Sequence, residues 1–121
     1  MATDQEVVGS TPSWRTLMNK KDIMAENLLE GQTIESYREG GNSMEPIIKH
    51  RQPVTISPIK LEDVEVGHVV FCKVSGKYWM HKVHAIDPHK GLQIGNNKGH
   101  INGWTKTVFG RITEVDGKEL K

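Results

Sequence analysis

A chain of 121 residues suits one domain plus an extension, and can hide roughly two-thirds of its unfolded surface in a single core. Its 16 Lys+Arg and 15 Asp+Glu leave a net charge of +1, a balance that argues against nucleic acid as the main partner. The single cysteine, Cys72, excludes an internal disulfide, and within Val69-Val70-Phe71-Cys72 it reads as a buried small hydrophobe. The start Met1-Ala2-Thr3-Asp4-Gln5-Glu6 is acidic and lacks the apolar stretch of a signal peptide. No apolar run has the length needed to span a bilayer. The expectation is a soluble protein in the cytoplasm of the cell that makes it.

Residues 1–12 are polar and small and read as a mobile tail. Ser13 is placed to cap a helix running from about Trp14 to Glu30. Trp14, Leu17, Met18, Met24, Ala25 and Leu28 fall on one face, Lys21 interrupts it and Ile23 points away, so the helix is amphipathic but imperfect. Gly31 stands at the C-cap position. The apolar face has two readings: packing on its own domain, or docking on a second copy or another partner.

From Gln32 onward the pattern changes to short alternating runs broken by Gly, Pro and Asn. Strands are predicted at Thr33–Arg38, Val54–Ile56, His68–Val74, Lys77–Ile86, Leu92–Ile94 and Thr107–Val115. Ser75-Gly76 is a hairpin turn and Asp87–Gly91 a loop. Ser43–Lys49 reads as one helical turn with Pro46 near its start. The organisation is therefore a tail and helix over 1–31 and a mainly β domain over 32–121.

Two segments carry chemistry: Gly41-Asn42-Ser43-Met44-Glu45-Pro46 and Tyr78-Trp79-Met80-His81-Lys82-Val83. Serine is a poor nucleophile unless a base takes its proton, and Ser43 with His81 supplies both parts. A Gly-rich turn before the serine also aims a backbone N–H at a developing oxyanion. Side chains alternate across a strand, so Trp79, His81, Val83 and Ala85 share one face and His84 points to the other. Apolar surroundings hold His81 neutral, as a general base requires, although a hydrogen-bonded core histidine explains the same pattern. Asn96-Asn97-Lys98-Gly99 and Asn102-Gly103 read as tight turns. The histidines at 50, 68, 81, 84, 89 and 100 show no HExxH spacing and there is no CxxC, so no metal and no cofactor is expected. Lys49-His50-Arg51 reads as solvated surface.

Gly41–Pro46 resembles the nucleophile box of the type I signal peptidase and LexA-like serine peptidase superfamily, a Gly- or Ser-rich turn followed by Ser-Met-x-Pro. Val66-Gly67-His68-Val69-Val70-Phe71 is similar to the family's Val-Gly-Asp-Ile-Val-Phe. His81-Lys82-Val83 resembles the His-Arg-Val segment of its histidine branch, and Gly95-Asn96-Asn97 lies where the family has Gly-Asp-Asn. Val108-Phe109-Gly110-Arg111-Ile112 resembles the closing strand. The match spans roughly residues 33–115 in order, and short proteins of this pattern also occur on phage and prophage genomes.

The resemblance implies a coiled, β-barrel-like peptidase fold with a serine endopeptidase site. Ser43 takes the nucleophile's place, His81 the base's, and Asn96 that of the residue near the base. Gly41, Asn42 and Met44 take the substrate groove, in which the family binds a peptide as an added strand. This chain departs from the pattern in several places. No Asp or Glu occurs between Lys90 and Arg111 to balance an imidazolium, Gly41 stands where a second oxyanion hydroxyl can sit, and there is no membrane anchor, no helix-turn-helix and no self-cleavage bond in the arm. A second expectation follows from these departures. The fold is kept as a non-catalytic binding or structural module, such as a phage virion or decoration component, with the N-terminal helix making the partner contacts.

Overall fold

The computed structural model describes residues 19–41 and 43–120. They form one α-helix, α1 (Lys20–Leu29), a short 3-10 turn (Leu61–Asp63), and strands β1 (Ile34–Arg38), β2 (Pro53–Pro58), β3 (Val69–Val74), β4 (Lys77–Asp87), β5 (Gly91–Gly95), β6 (Ile101–Thr105), β7 (Val108–Val115) and β8 (Lys118–Glu119). The mainly β domain preceded by a helix is thus present. All pairings are antiparallel in one sheet of order β1-β2-β7-β3-β4-β5-β6, with β8 on β7. The barrel-like closure expected from the resemblance is corrected: β1 and β6 end the sheet and do not pair. The sheet coils enough for the Thr105 hydroxyl on β6 to donate to the Lys73 carbonyl on β3 at 2.6 Å, which is a side-chain tie rather than a ladder.

The helix begins at Lys20, later than the expected Trp14, because Asn19 is extended and closes a capping box. Its side chain accepts the Asp22 N–H at 2.9 Å while the Asp22 carboxylate faces the Asn19 N–H at 3.4 Å. Ser13, Trp14, Leu17 and Met18 lie outside the described residues. At the far end Gly31, at φ +91°, completes a Schellman motif: its N–H reaches the Leu28 carbonyl and the Gln32 N–H reaches that of Asn27, both at 3.0 Å. The described part of the apolar face packs on its own domain, where Met24, Ala25 and Leu28 are buried against Ile56, Phe109 and Ile112. Burying a side chain such as Leu28 contributes about 1.5–3 kcal/mol. Gly110 permits this approach, since a Cβ there would meet Ile56 Cγ2 at 2.7 Å and Leu28 Cδ2 at 3.0 Å.

The sheet buries apolar side chains on both faces. On β3, Val69 and Phe71 join the cluster under α1, while Val70, Cys72 and Val74 join a second cluster with Val83, Leu92 and Ile94. Cys72 is fully buried, and its thiol is pushed up to about 12 by desolvation. Two elements went unpredicted. The strand β8 is only two residues long, and β6 contains the Asn102-Gly103 pair that reads as a turn. In β6 that pair sits at a bulge: Gly103 opposes Ile94 and Ile101 opposes Gly95, so Asn102 is the extra residue. A second bulge leaves His84 extra on β4, between Val83 opposite Ile94 and Ala85 opposite Gln93. The Ser75-Gly76 hairpin forms as predicted, with φ of +49° and +83°.

Candidate active site

Ser43 lies in the loop between β1 and β2. The helical turn expected over Ser43–Lys49 is replaced by hydrogen-bonded turns with one i to i+4 bond, from the Ile48 N–H to the Met44 carbonyl at 3.0 Å. Met44 and Ile48 drop into the core cluster and fasten the loop to the domain. Gly41, at φ +100°, reverses the chain just before the serine, and its N–H donates to His50 Nδ1 at 2.8 Å. His50, read from the sequence as solvated surface, therefore braces the turn from the other side.

A second brace comes from the β5–β6 turn. The Asn97 N–H donates to the Ser43 carbonyl at 2.9 Å, and the Asn97 side-chain amide donates to the Glu45 carbonyl at 3.0 Å. This residue went unremarked as a contributor to the site, although it is the final Asn of the Gly95-Asn96-Asn97 box. Asn96, expected beside the base, is corrected to a turn residue. Its Oδ1 accepts from the Lys98 and His100 N–H groups at 2.8 and 2.9 Å, and its carbonyl lies 2.9 Å from His84 Nε2.

The structure brings Ser43 and His81 together: Ser43 Oγ lies 3.1 Å from His81 Nε2. The other ring nitrogen, Nδ1, lies 2.6 Å from Oδ1 of Asn102. An amide oxygen only accepts, so Nδ1 carries the proton and Nε2 presents a lone pair to the serine hydroxyl. Asn102 thus fills the place expected for Asn96. The bulge that makes it the extra residue of β6 turns its side chain toward β4. Trp79 stacks on the His81 ring at a centroid distance of 4.9 Å and confines it further.

His81 is 6% exposed, and its pKa is lowered from 6.5 chiefly by desolvation. The hydrogen bond to Asn102 and the charge of Glu39 oppose that shift, but burial prevails and the imidazole is neutral at pH 7. The dyad opens on a cleft of about 150 Å³ lined by Gly41, Ser43, Met44, Trp79, His81 and Glu39, among others. Gly41 and Met44 are thus on the cleft wall, while Asn42 lies outside the described residues. Glu39 is already engaged: one carboxylate oxygen accepts from the Tyr37 hydroxyl and the other lies 3.1 Å from Lys21 Nζ.

Among the described residues no three His, Cys, Asp or Glu side chains come together as a metal site. Nor is any helix among them long and apolar enough to cross a membrane. Comparison with protein-family models, curated proteins and solved structures found no match to this chain. The arrangement defines a chemical class by geometry alone: a serine hydroxyl against a buried, neutral, oriented imidazole in a cleft.

Proposed function

We propose that the protein is a serine endopeptidase of the signal peptidase and LexA-like kind, acting by acyl transfer on an extended peptide segment. The observation that carries this reading is the 3.1 Å approach of Ser43 Oγ to His81 Nε2, with Nδ1 of the same ring held by Asn102. His81 takes the Ser43 proton as Oγ attacks the scissile carbonyl, forming the tetrahedral intermediate. The Ser43 N–H, which has no acceptor among the described residues, is available to the oxyanion. Collapse breaks the C–N bond, and His81 returns the proton to the leaving amine. A water activated by the same imidazole then hydrolyses the acyl-enzyme.

The reading is tested by labelling the purified protein with a fluorophosphonate probe, beside Ser43→Ala and His81→Ala. Labelling of the wild type that is lost in both variants is expected. A folded wild type that neither takes the probe nor cleaves any member of a mixed peptide library overturns it.

One observation favours a second reading. The third residue is a neutral Asn102, which orients an imidazole but does not balance its charge. An aspartate-to-asparagine change in a serine protease costs about 10⁴ in turnover. On that reading the fold serves as a binding or virion module, and Ser43 is covered in the assembled particle.

A further inference from the structure

Beside the cleft at Ser43 lies a second groove, of about 460 Å³, between the start of α1 and the β3–β4 hairpin. Trp79 lines both. The second groove carries Lys21, Lys73 and Lys77 against a single carboxylate, that of Asp22. Asp22 is already occupied, accepting from the Tyr78 hydroxyl at 2.5 Å and closing the helix cap. Lys73 Nζ lies 4.7 Å from the Tyr78 ring centroid and Lys77 Nζ 6.0 Å from that of Trp79, and neither meets a carboxylate among the described residues. Two ammonium groups are thus held over aromatic rings without an anionic partner among the described residues.

The strand edge alongside points the same way. Lys77–Lys82 of β4 pair with β3 on one side, but on the other β5 pairs only from Lys82 onward. Among the described residues no strand pairs with the second edge of Lys77–His81, beside the cleft, and strand addition along such an edge is a recognised mode of peptide binding. A peptide laid along it advances about 3.3 Å per residue. With the residue next to the scissile bond opposite His81, the third, fourth and fifth residues from that bond lie opposite Trp79, Tyr78 and Lys77. Glu39 sits at the scissile end and disfavours a carboxylate there, so the sign of the preferred charge changes along the groove.

We infer that the groove selects an acidic peptide: a segment bearing Asp or Glu about three to five residues from the scissile bond, on one side of it, paired with Lys73 and Lys77. This rests on the peptidase reading for the position of the scissile bond. A nucleic acid is the less favoured occupant, because the groove adjoins, through Trp79, a serine–histidine pair that has no role in holding phosphates.

The test is binding of dye-labelled decapeptides to the Ser43→Ala protein, which holds substrate without turning it over. Three peptides are compared: a neutral one, and two with a Glu pair three to five residues to either side of the centre. One acidic peptide is expected to bind about tenfold tighter than the neutral one, with the advantage shrinking as salt rises. Lys73→Glu/Lys77→Glu, checked for an unchanged melting temperature, is expected to erase that advantage and favour a Lys-containing peptide. Lys73→Gln/Lys77→Gln serves if the reversed pair does not fold. Equal affinity for all three peptides overturns the inference, as does a ten-nucleotide dT strand that binds tighter than either acidic peptide. Fluorophosphonate labelling judges the peptidase reading separately. Labelling without acidic preference sinks only the groove, whereas acidic preference with neither labelling nor cleavage of the peptide library sinks the peptidase and keeps the groove.

Discussion

Asn102 holds the His81 ring as a carboxylate holds the imidazole of a serine-hydrolase triad, but it supplies only half of what a carboxylate supplies. Its oxygen fixes the His81 tautomer at 2.6 Å and leaves the imidazolium charge unbalanced. Asn102→Ala frees the ring, and the labelling rate of Ser43 is expected to fall about 10²-fold with the fold intact by circular dichroism. Asn102→Asp adds a charge that favours the imidazolium and moves the pH profile upward. In the wild type burial lowers the His81 pKa below 6.5, so the base is already unprotonated at neutral pH. The labelling rate should therefore rise through a midpoint below pH 6.5 and be flat from pH 7 upward. A midpoint above 7 would show that Asn102 and Glu39 outweigh burial.

The elements matter here through their ends and irregularities. Two β-bulges redirect side chains beside the dyad, one giving Asn102 to His81 and the other sending His84 to the Asn96 carbonyl. The β5–β6 turn is a clamp, since Asn97 holds the carbonyls of both Ser43 and Glu45. Asn97→Ala keeps the backbone bond and loses the side-chain one. It should cost about 1 kcal/mol in urea unfolding and slow Ser43 labelling more than that loss of stability explains. In α1, Asn19→Ala removes the cap for about 1 kcal/mol, whereas Leu28→Ala opens a cavity under the sheet for about 2–5 kcal/mol. If Leu28→Ala is as mild as Asn19→Ala, the helix is not part of the core.

At the scale of the whole molecule, the same burial that holds His81 neutral makes the fold sensitive to acid. His81 and His68 both have folded pKa values below the ordinary 6.5, each chiefly through desolvation. The unfolded chain therefore binds the extra protons. The stability they leave in place above pH 6.5 is lost as pH falls from there through the folded values. The urea midpoint should decline from pH 7 to pH 5, and His81→Gln should flatten part of that slope. An unchanged slope in His81→Gln would place the acid sensitivity elsewhere.

Legibility followed the range of the interaction. Alternation along Lys77–Ile86 was enough to place a strand with His81 among apolar neighbours, and the switch from helical to alternating pattern near Gln32 marked where the sheet begins. Hairpin chemistry at Ser75-Gly76 and the C-terminal glycine of the helix were equally plain, because each depends on residues a few positions apart. The helix start at Lys20 is not legible in the sequence, because Asn19 and Asp22 cap each other locally in the middle of a face that still looks periodic. Asn102-Gly103 looks like a turn in sequence, and only pairing with β5 makes it a bulge in a strand.

The residue types of the site, a serine in a glycine-rich turn and a histidine on an apolar strand face, were inherent in the chain. Which asparagine serves the histidine was not, since Asn96 and Asn102 are alike in sequence and differ only in where a bulge points them. That an open sheet, rather than a closed barrel, carries the serine to within 3.1 Å of the imidazole was likewise decided in three dimensions. The reason is that local propensity and periodicity act over a few residues, whereas register, bulge position and loop bracing are settled by strands distant in sequence packing into one core.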